Sequence, residues 1–169
     1  MDRLILFRHG KAEPDSASGE DFDRRLSPRG GRESGAMGAQ LADLGFAPDV
    51  VLISPSARTR ETWAAAEPYF PKAQALYEPE LYHADSGAIQ REAERAGECA
   101  GTVMIVGHNP GIQELTVRLL TEGSAPATLV ERAKRQFPTA SASVFLFDGN
   151  GRPAFDGLFF PDRDQGRGD

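Results

Sequence analysis

The sequence predicts a single-domain α/β three-layer sandwich, with a mostly parallel central sheet, helices on both faces and a C-terminal antiparallel hairpin. Three observations predict it. First, Leu4–Phe7 is a continuous apolar run, and Val50–Ser54 and Val103–Gly107 are segments of the same kind. Parallel strands read this way because helices bury both of their faces. Second, the stretches between these runs carry helical signals. Third, Ser143–Phe147 and Ala154–Phe160 flank Asp148-Gly149-Asn150-Gly151, the pattern of a hairpin.

Taken in order, Leu4–Phe7 is the first strand. Ser27-Pro28 then opens a helix that reaches about Leu44 and stops at Gly45, with Met37, Leu41 and Leu44 on one apolar stripe. Gly30, Gly31, Gly35 and Gly38 lie inside it and cost about 1 kcal/mol each relative to alanine. Packing must therefore hold this helix, and its small residues suit a close approach to the sheet. Val50–Ser54 is the second strand, and Ser54-Pro55 opens a helix running to about Ala66. Ser86 to about Gly97 reads as another helix. Val103–Gly107 is a strand whose Asn109-Pro110 opens a helix to about Thr121. Trp63 and the phenylalanines of the hairpin are expected in the core. Residues 161–169 (PDRDQGRGD) are expected to be a flexible tail behind a domain of residues 1–160.

Composition narrows the function. The 169 residues suit one domain with a sizeable core. Nineteen basic residues against 25 acidic give a formal charge of −6. A broad face for phosphate backbones is not expected, so no nucleic acid is expected as a partner. The apolar runs are too short to cross a bilayer, and Arg8 breaks the first after four residues, unlike a signal-peptide core. No membrane partner is expected. A single cysteine, Cys99, excludes an internal disulfide and fits a cytoplasmic location.

In open α/β sheets, ligands bind beyond the C-terminal ends of strands. Three such ends carry Arg8-His9-Gly10, Ser54-Pro55-Ser56-Ala57-Arg58 and Gly107-His108-Asn109-Pro110. Two arginines and two imidazoles around one point, with helix N-termini aimed at it, suit a compact dianion. Guanidinium forks match phosphate oxygens, and helix N-termini offer unpaired N–H groups. Gly10, lacking a Cβ, would let a phosphate come close to the backbone beside His9.

LFRHGKA, then LSPRG, SPSARTRET and GHNPG, in this order, resemble the histidine phosphatase superfamily. The similarity runs from about Leu4 to Leu120. The short chain, with no insertion between motifs, is most similar to the SixA-type phosphohistidine phosphatase group. The resemblance implies a phosphoglycerate-mutase-like fold and a histidine phosphatase domain over residues 1–160. It implies that His9 is the nucleophile, forming a phosphohistidine that water hydrolyses. It also implies that Arg8, Arg58 and His108, with Gly10, bind the phosphoryl group. The arginines and an imidazolium would supply the positive charge, so neither metal nor cofactor is called for. Glu80, in Pro79–Asp85, is the residue the resemblance offers as general acid. Asp15 stands where mutase-like members carry Asn, which counts against a mutase.

The function implied is a metal-independent phosphatase acting on protein phosphohistidine. Two alternatives stay open: a phosphatase of a small phosphoester, and a non-catalytic phosphate-binding module. Activity is expected to fall on the acid side as His9 takes a proton, near the imidazole reference of about 6.5. Several residues have plainer readings. His83 and Asp85 form only half of a metal site and read as structural. Arg60 reads as solvated, Cys99 as structural, and Glu20–Arg25 as a solvated loop near the mouth of the site.

Overall fold

Alternating side chains along the strands build two cores, one on each face of a six-stranded sheet. The computed structural model describes residues 1–163. Within them the order is β1 (Arg3–Arg8), α1 (Pro28–Asp43), β2 (Val50–Ile53), α2 (Ala57–Ala66), β3 (Gln74–Tyr77), α3 (Ser86–Gly97), β4 (Thr102–Gly107), α4 (Gly111–Glu122), α5 (Ala127–Arg135), β5 (Ala142–Phe147) and β6 (Pro153–Phe159). Short 3-10 turns lie at Asp21–Asp23, Glu67–Tyr69 and Pro79–Leu81. Leu4 and Leu6 face a cluster with Ile89, Ile112, Leu115 and Leu119 of α3 and α4. Ile5 and Phe7 face the opposite cluster, with Met37 and Leu41 of α1 and Trp63 of α2. Burying a large apolar side chain on either face stabilises the fold by about 1.5–3 kcal/mol.

The strand order is β3-β2-β4-β1-β5-β6. Strands β3, β2, β4 and β1 are mutually parallel, while β5 runs antiparallel to β1 and β6 antiparallel to β5. This is the α/β architecture expected, with the hairpin as its antiparallel addition. Adjacent β1 and β4 send their following helices to opposite faces, since α1 packs with the Ile5 cluster and α4 with the Leu4 cluster. That divergence makes their C-terminal ends a topological switch point, the place where α/β sheets bind ligands.

Helix α1 begins at Pro28, as its signals predict, with the Ser27 hydroxyl accepting from Gly30 N at 3.1 Å. Helix α2 begins at Ala57, two residues later than Ser54-Pro55 suggested. The reason is local: Ser54 N still donates to Val106 O at 3.1 Å, so the strand ladder uses Ser54 before the helix can. Helix α4 likewise starts one residue late, at Gly111, although Asn109 Oδ1 still accepts from Gln113 N. Two elements carry little sequence signal. All four residues of edge strand β3 are exposed, and the nine-residue α5 fully buries only Ala133, so both offer few core positions to read. Cys99 is exposed in the turn after α3.

Two glycines of α1 serve contacts with the loop after β1 and with α2. A Cβ at Gly30 would stand 2.1 Å from the Lys11 carbonyl oxygen, and one at Gly38 would stand 2.8 Å from Ala66 Cβ. The close approach expected from the composition therefore exists, but its partners are a loop and a helix rather than the sheet. Of the expected tail, residues 161–163 are described, and Arg163 donates to Glu33 and to Thr139. Residues 164–169 lie outside the described residues.

These contacts give opposite expectations for two glycines of one helix. Gly38→Ala must push α1 and α2 apart and lower stability by about 1–3 kcal/mol. Gly31→Ala meets nothing within 4 Å and should raise stability by about 0.5–1 kcal/mol. Urea denaturation of the two variants checks both signs.

Candidate functional site

Parallel register brings the two histidine motifs together. Arg8 stands opposite Gly107 across the β1–β4 pair, so His9 and His108 leave the sheet side by side. Their ring centroids are 5.3 Å apart, and both residues are buried. Strand β2 lies on the other side of β4, with Ile53 opposite Val106. Ser54 thereby falls within reach of His108, its hydroxyl 2.7 Å from Nε2.

Each imidazole is oriented by one contact. His9 Nδ1 is 2.7 Å from the Gly10 carbonyl oxygen, which only accepts, so Nδ1 carries the proton and Nε2 keeps its lone pair. Gly10 is itself held by its N–H, which donates to Thr62 Oγ1 at 3.0 Å. A Cβ at Gly10 would stand 2.5 Å from both the Gly30 carbonyl oxygen and Ser34 Oγ. The missing side chain therefore admits α1 against the loop, where the sequence suggested room for a phosphate.

The arginines come from different elements. Arg8, the last residue of β1, donates to the Phe137 carbonyl oxygen at 2.8 Å. Arg58, in the first turn of α2, is only 6% exposed. Its two terminal nitrogens donate to the Asp21 backbone carbonyl at 2.9 Å and to Asp21 Oδ2 at 3.0 Å. Tyr82 also donates to Asp21 Oδ2, at 2.7 Å, and its ring packs edge-on against His108.

The electrostatics follow from burial among like charges. Burial first, and then Arg8, Arg58 and Arg24, lower the His9 pKa to about 3 despite the opposing pull of the Gly10 carbonyl. Burial, His9, Arg58 and His83 lower His108 to about 3, with Asp21 opposing. Both rings are neutral at neutral pH, so the cationic charge here is carried by guanidinium groups and not by the imidazolium that the resemblance suggested. The acid limb of activity is accordingly expected below the ordinary imidazole value. Asp21 is held well below the usual carboxylate range, chiefly by the Tyr82 hydroxyl, with Arg24 and Arg58 adding and partial burial opposing.

Arg8, His9, Arg58 and His108 thus converge. Glu80 does not join them: it is exposed on the Pro79–Leu81 turn, with no hydrogen bond or ion pair among the described residues. His83 lies against the Tyr82 ring, and the Asp85 carboxylate caps α3 by accepting from Ala88 N, the structural reading. Sequence reasoning missed Asp21, Tyr82 and the role of Ser54. Asp21 lay in a mixed-charge run that read as solvated, although the run's position near the mouth of the site was anticipated. Arg163 also acts on the site at a distance, since burial and then Arg163 and Arg58 lower the Arg8 pKa.

Buried neutral imidazoles make the fold sensitive to acid. Their folded pKa of about 3 lies below the ordinary 6.5, so between these values the unfolded chain binds protons that the folded chain refuses. Stability then falls as pH falls, by about 1.4 kcal/mol per pH unit for each ring. His9→Asn and His108→Asn should each remove about one proton from the slope of stability against pH in this window. Denaturant titrations at stepped pH measure it, and an unchanged slope in both variants would contradict neutral burial.

Similarity to known proteins agrees with this geometry. A family model described as histidine phosphatase superfamily (branch 1) matches residues 4–98. An uncharacterized protein of Mycobacterium tuberculosis is 36% identical over 144 residues, which cover 85% of this chain and 88% of that protein. A structure from Agrobacterium tumefaciens, provisionally described as a phosphohistidine phosphatase SixA, superposes with a TM-score of 0.82 and 29% identity. The match covers 95% of this chain and 98% of that one. Phosphoglycerate mutase from Plasmodium falciparum shares the fold, with a TM-score of 0.62 and 19% identity over 94% of this chain and 93% of its own.

Proposed function

The chain belongs to the histidine phosphatase superfamily and is a phosphatase, and from that premise we propose that it works without a metal, through a phosphohistidine on His9, on phosphorylated histidine of a partner protein. The observation that carries the reading is the His9 ring: its proton is committed to the Gly10 carbonyl, and its Nε2 lone pair stands among guanidinium groups.

The chemistry proceeds in two displacements. His9 Nε2 attacks phosphorus in line while the bond from phosphorus to the leaving nitrogen breaks, its electron pair returning to the substrate imidazole. Water then attacks the phosphohistidine, the P–Nε2 bond breaks toward His9, and phosphate departs. Arg8, Arg58 and His108 donate to the phosphoryl oxygens, where charge spreads in the transition state. Guanidinium charge here does the work a metal ion does elsewhere.

The acid side of the reaction favours a nitrogen leaving group. An alkoxide needs a proton as it leaves, whereas a phosphorylated imidazole already protonated on its other nitrogen departs neutral. The two carboxyl groups nearest this task are poorly suited to donate: Asp21 is held ionised, and Glu80 sits on an exposed turn outside the network. The similarity to a structure provisionally described as a phosphohistidine phosphatase supports the same substrate class.

Incubation with a radiolabelled phosphohistidine protein and rapid acid-free quenching should place label on His9, and His9→Ala should abolish both label and turnover. Arg58→Ala should lower turnover by about 100- to 1000-fold. Wild-type turnover in His9→Ala would refute the covalent route. A higher kcat/KM on small phosphate monoesters than on the phosphohistidine protein would refute the substrate.

A further inference from the structure

His108 meets a phosphoryl oxygen, in the reading above, only if one of its ring nitrogens has a proton to give. The contacts around it specify which one. Nε2 lies 2.7 Å from Ser54 Oγ, and Nδ1 is buried with no protein partner. Ser54 is fully buried, and His108 Nε2 is the one partner of its side chain among the described residues.

The pair can be wired in two directions. If Nε2 carried the proton and donated to Ser54, the hydroxyl hydrogen of Ser54 would be left buried without an acceptor. Nδ1 would then offer a lone pair to an anion. Both consequences are unfavourable, the first because buried donors demand partners and the second because two acceptors repel. If Ser54 donates to Nε2 instead, its hydrogen is satisfied, the ring proton sits on Nδ1, and the one donor of the pair without a protein partner is the Nδ1–H left for the phosphoryl oxygen. We infer that Ser54 is a positioning residue whose hydroxyl donates to His108 Nε2, holding His108 as the neutral Nδ1–H tautomer that serves the phosphoryl group as an uncharged donor.

The surroundings agree with a neutral ring. His9, Arg58, His83 and Asp21 are the titratable and charged groups acting on His108, and the Tyr82 ring packs against it edge-on. Three of the four discourage a proton; Asp21 alone favours one, and its carboxylate is engaged by Arg58 and Tyr82. The two site histidines then share one tautomer for opposite purposes. His9 directs its Nδ1–H at the Gly10 carbonyl to free Nε2 for attack, while His108 has Nε2 capped by Ser54 to free Nδ1–H for donation.

This inference rests on His108 serving the phosphoryl group, yet its test does not require turnover. Proton–nitrogen correlation spectra of the free protein labelled with nitrogen-15 histidine report each ring's tautomer at pH 7.5, and with three histidines the His108 pair is identified by its loss in His108→Asn. The expected spectrum shows His108 Nδ1 protonated and Nε2 bare. A bare Nδ1, or a doubly protonated ring, overturns the proposal whatever the enzyme hydrolyses. Ser54→Ala should move the ring toward the Nε2–H form and lower kcat about 100-fold, as loss of one preorganised donor does. A folded Ser54→Ala protein that keeps the Nδ1–H form equally overturns it; if that variant does not fold, the wild-type spectrum still decides. Label reaching His9 normally alongside an Nε2–H His108 would leave the phosphatase reading standing and sink only this one.

Discussion

Parallel pairing of β1 with β4 is the constraint on which the site depends. With Arg8 opposite Gly107, the residues that follow each strand leave the sheet as neighbours. Because α1 and α4 depart to opposite faces, these neighbours lie at a topological switch point of the sheet, where α/β proteins bind ligands. A slip of one residue would turn every β1 side chain to the other face, moving Leu4 and Leu6 out of one core and Ile5 and Phe7 out of the other. The apolar cores on both faces thus hold the imidazoles in place.

Within that frame the electrostatics are lopsided. Two uncharged rings lie buried beside Arg8 and Arg58, with Arg24 and Arg163 adding positive potential. Asp21 is the counterweight, its carboxylate accepting from Arg58, Arg24 and Tyr82. A chain of net charge −6 therefore gathers more guanidinium than carboxylate groups at one sheet edge, with Arg24 and Arg58 sharing Asp21 and Arg163 paired with Glu33. A dianion seated there gains from every one of them in surroundings that water screens weakly. Neutral rings suit this arrangement: one must keep its lone pair to attack, and neither adds a charge whose burial would have to be offset.

Small residues make the approach of α1 possible. Gly10 and Gly30 face each other where any side chain would collide with backbone, and Ser27 caps the same turn. The loop carrying His9 is thereby pressed between α1 and Thr62 of α2. A nucleophile held within a hydrogen bond of its required geometry benefits from such support, since misplacement of about 1 Å can cost about 100-fold in rate.

Much of this was legible in the sequence alone. Continuous apolar runs announce strands covered on both faces, because only such strands are apolar at every position, and β1, β2 and β4 lie where those runs are. Helix α1 announces itself by its Ser27-Pro28 start and by one apolar stripe. The order of the motifs LFRHGKA, SPSARTRET and GHNPG named Arg8, His9, Arg58 and His108, since each follows a strand and strand ends meet at one edge. Tertiary structure alone decided the rest. Edge strand β3 and the short helix α5 bury too few residues to stand out from the stretches around them. Asp21 reaches Arg58 across 37 residues and Tyr82 reaches Asp21 across 61, and Ser54 reaches His108 across 54, separations at which only the fold determines who meets whom. Protonation belongs to the same class. An imidazole's charge depends on the burial and the guanidinium groups around it, and for His9 those groups come from three separate stretches of chain.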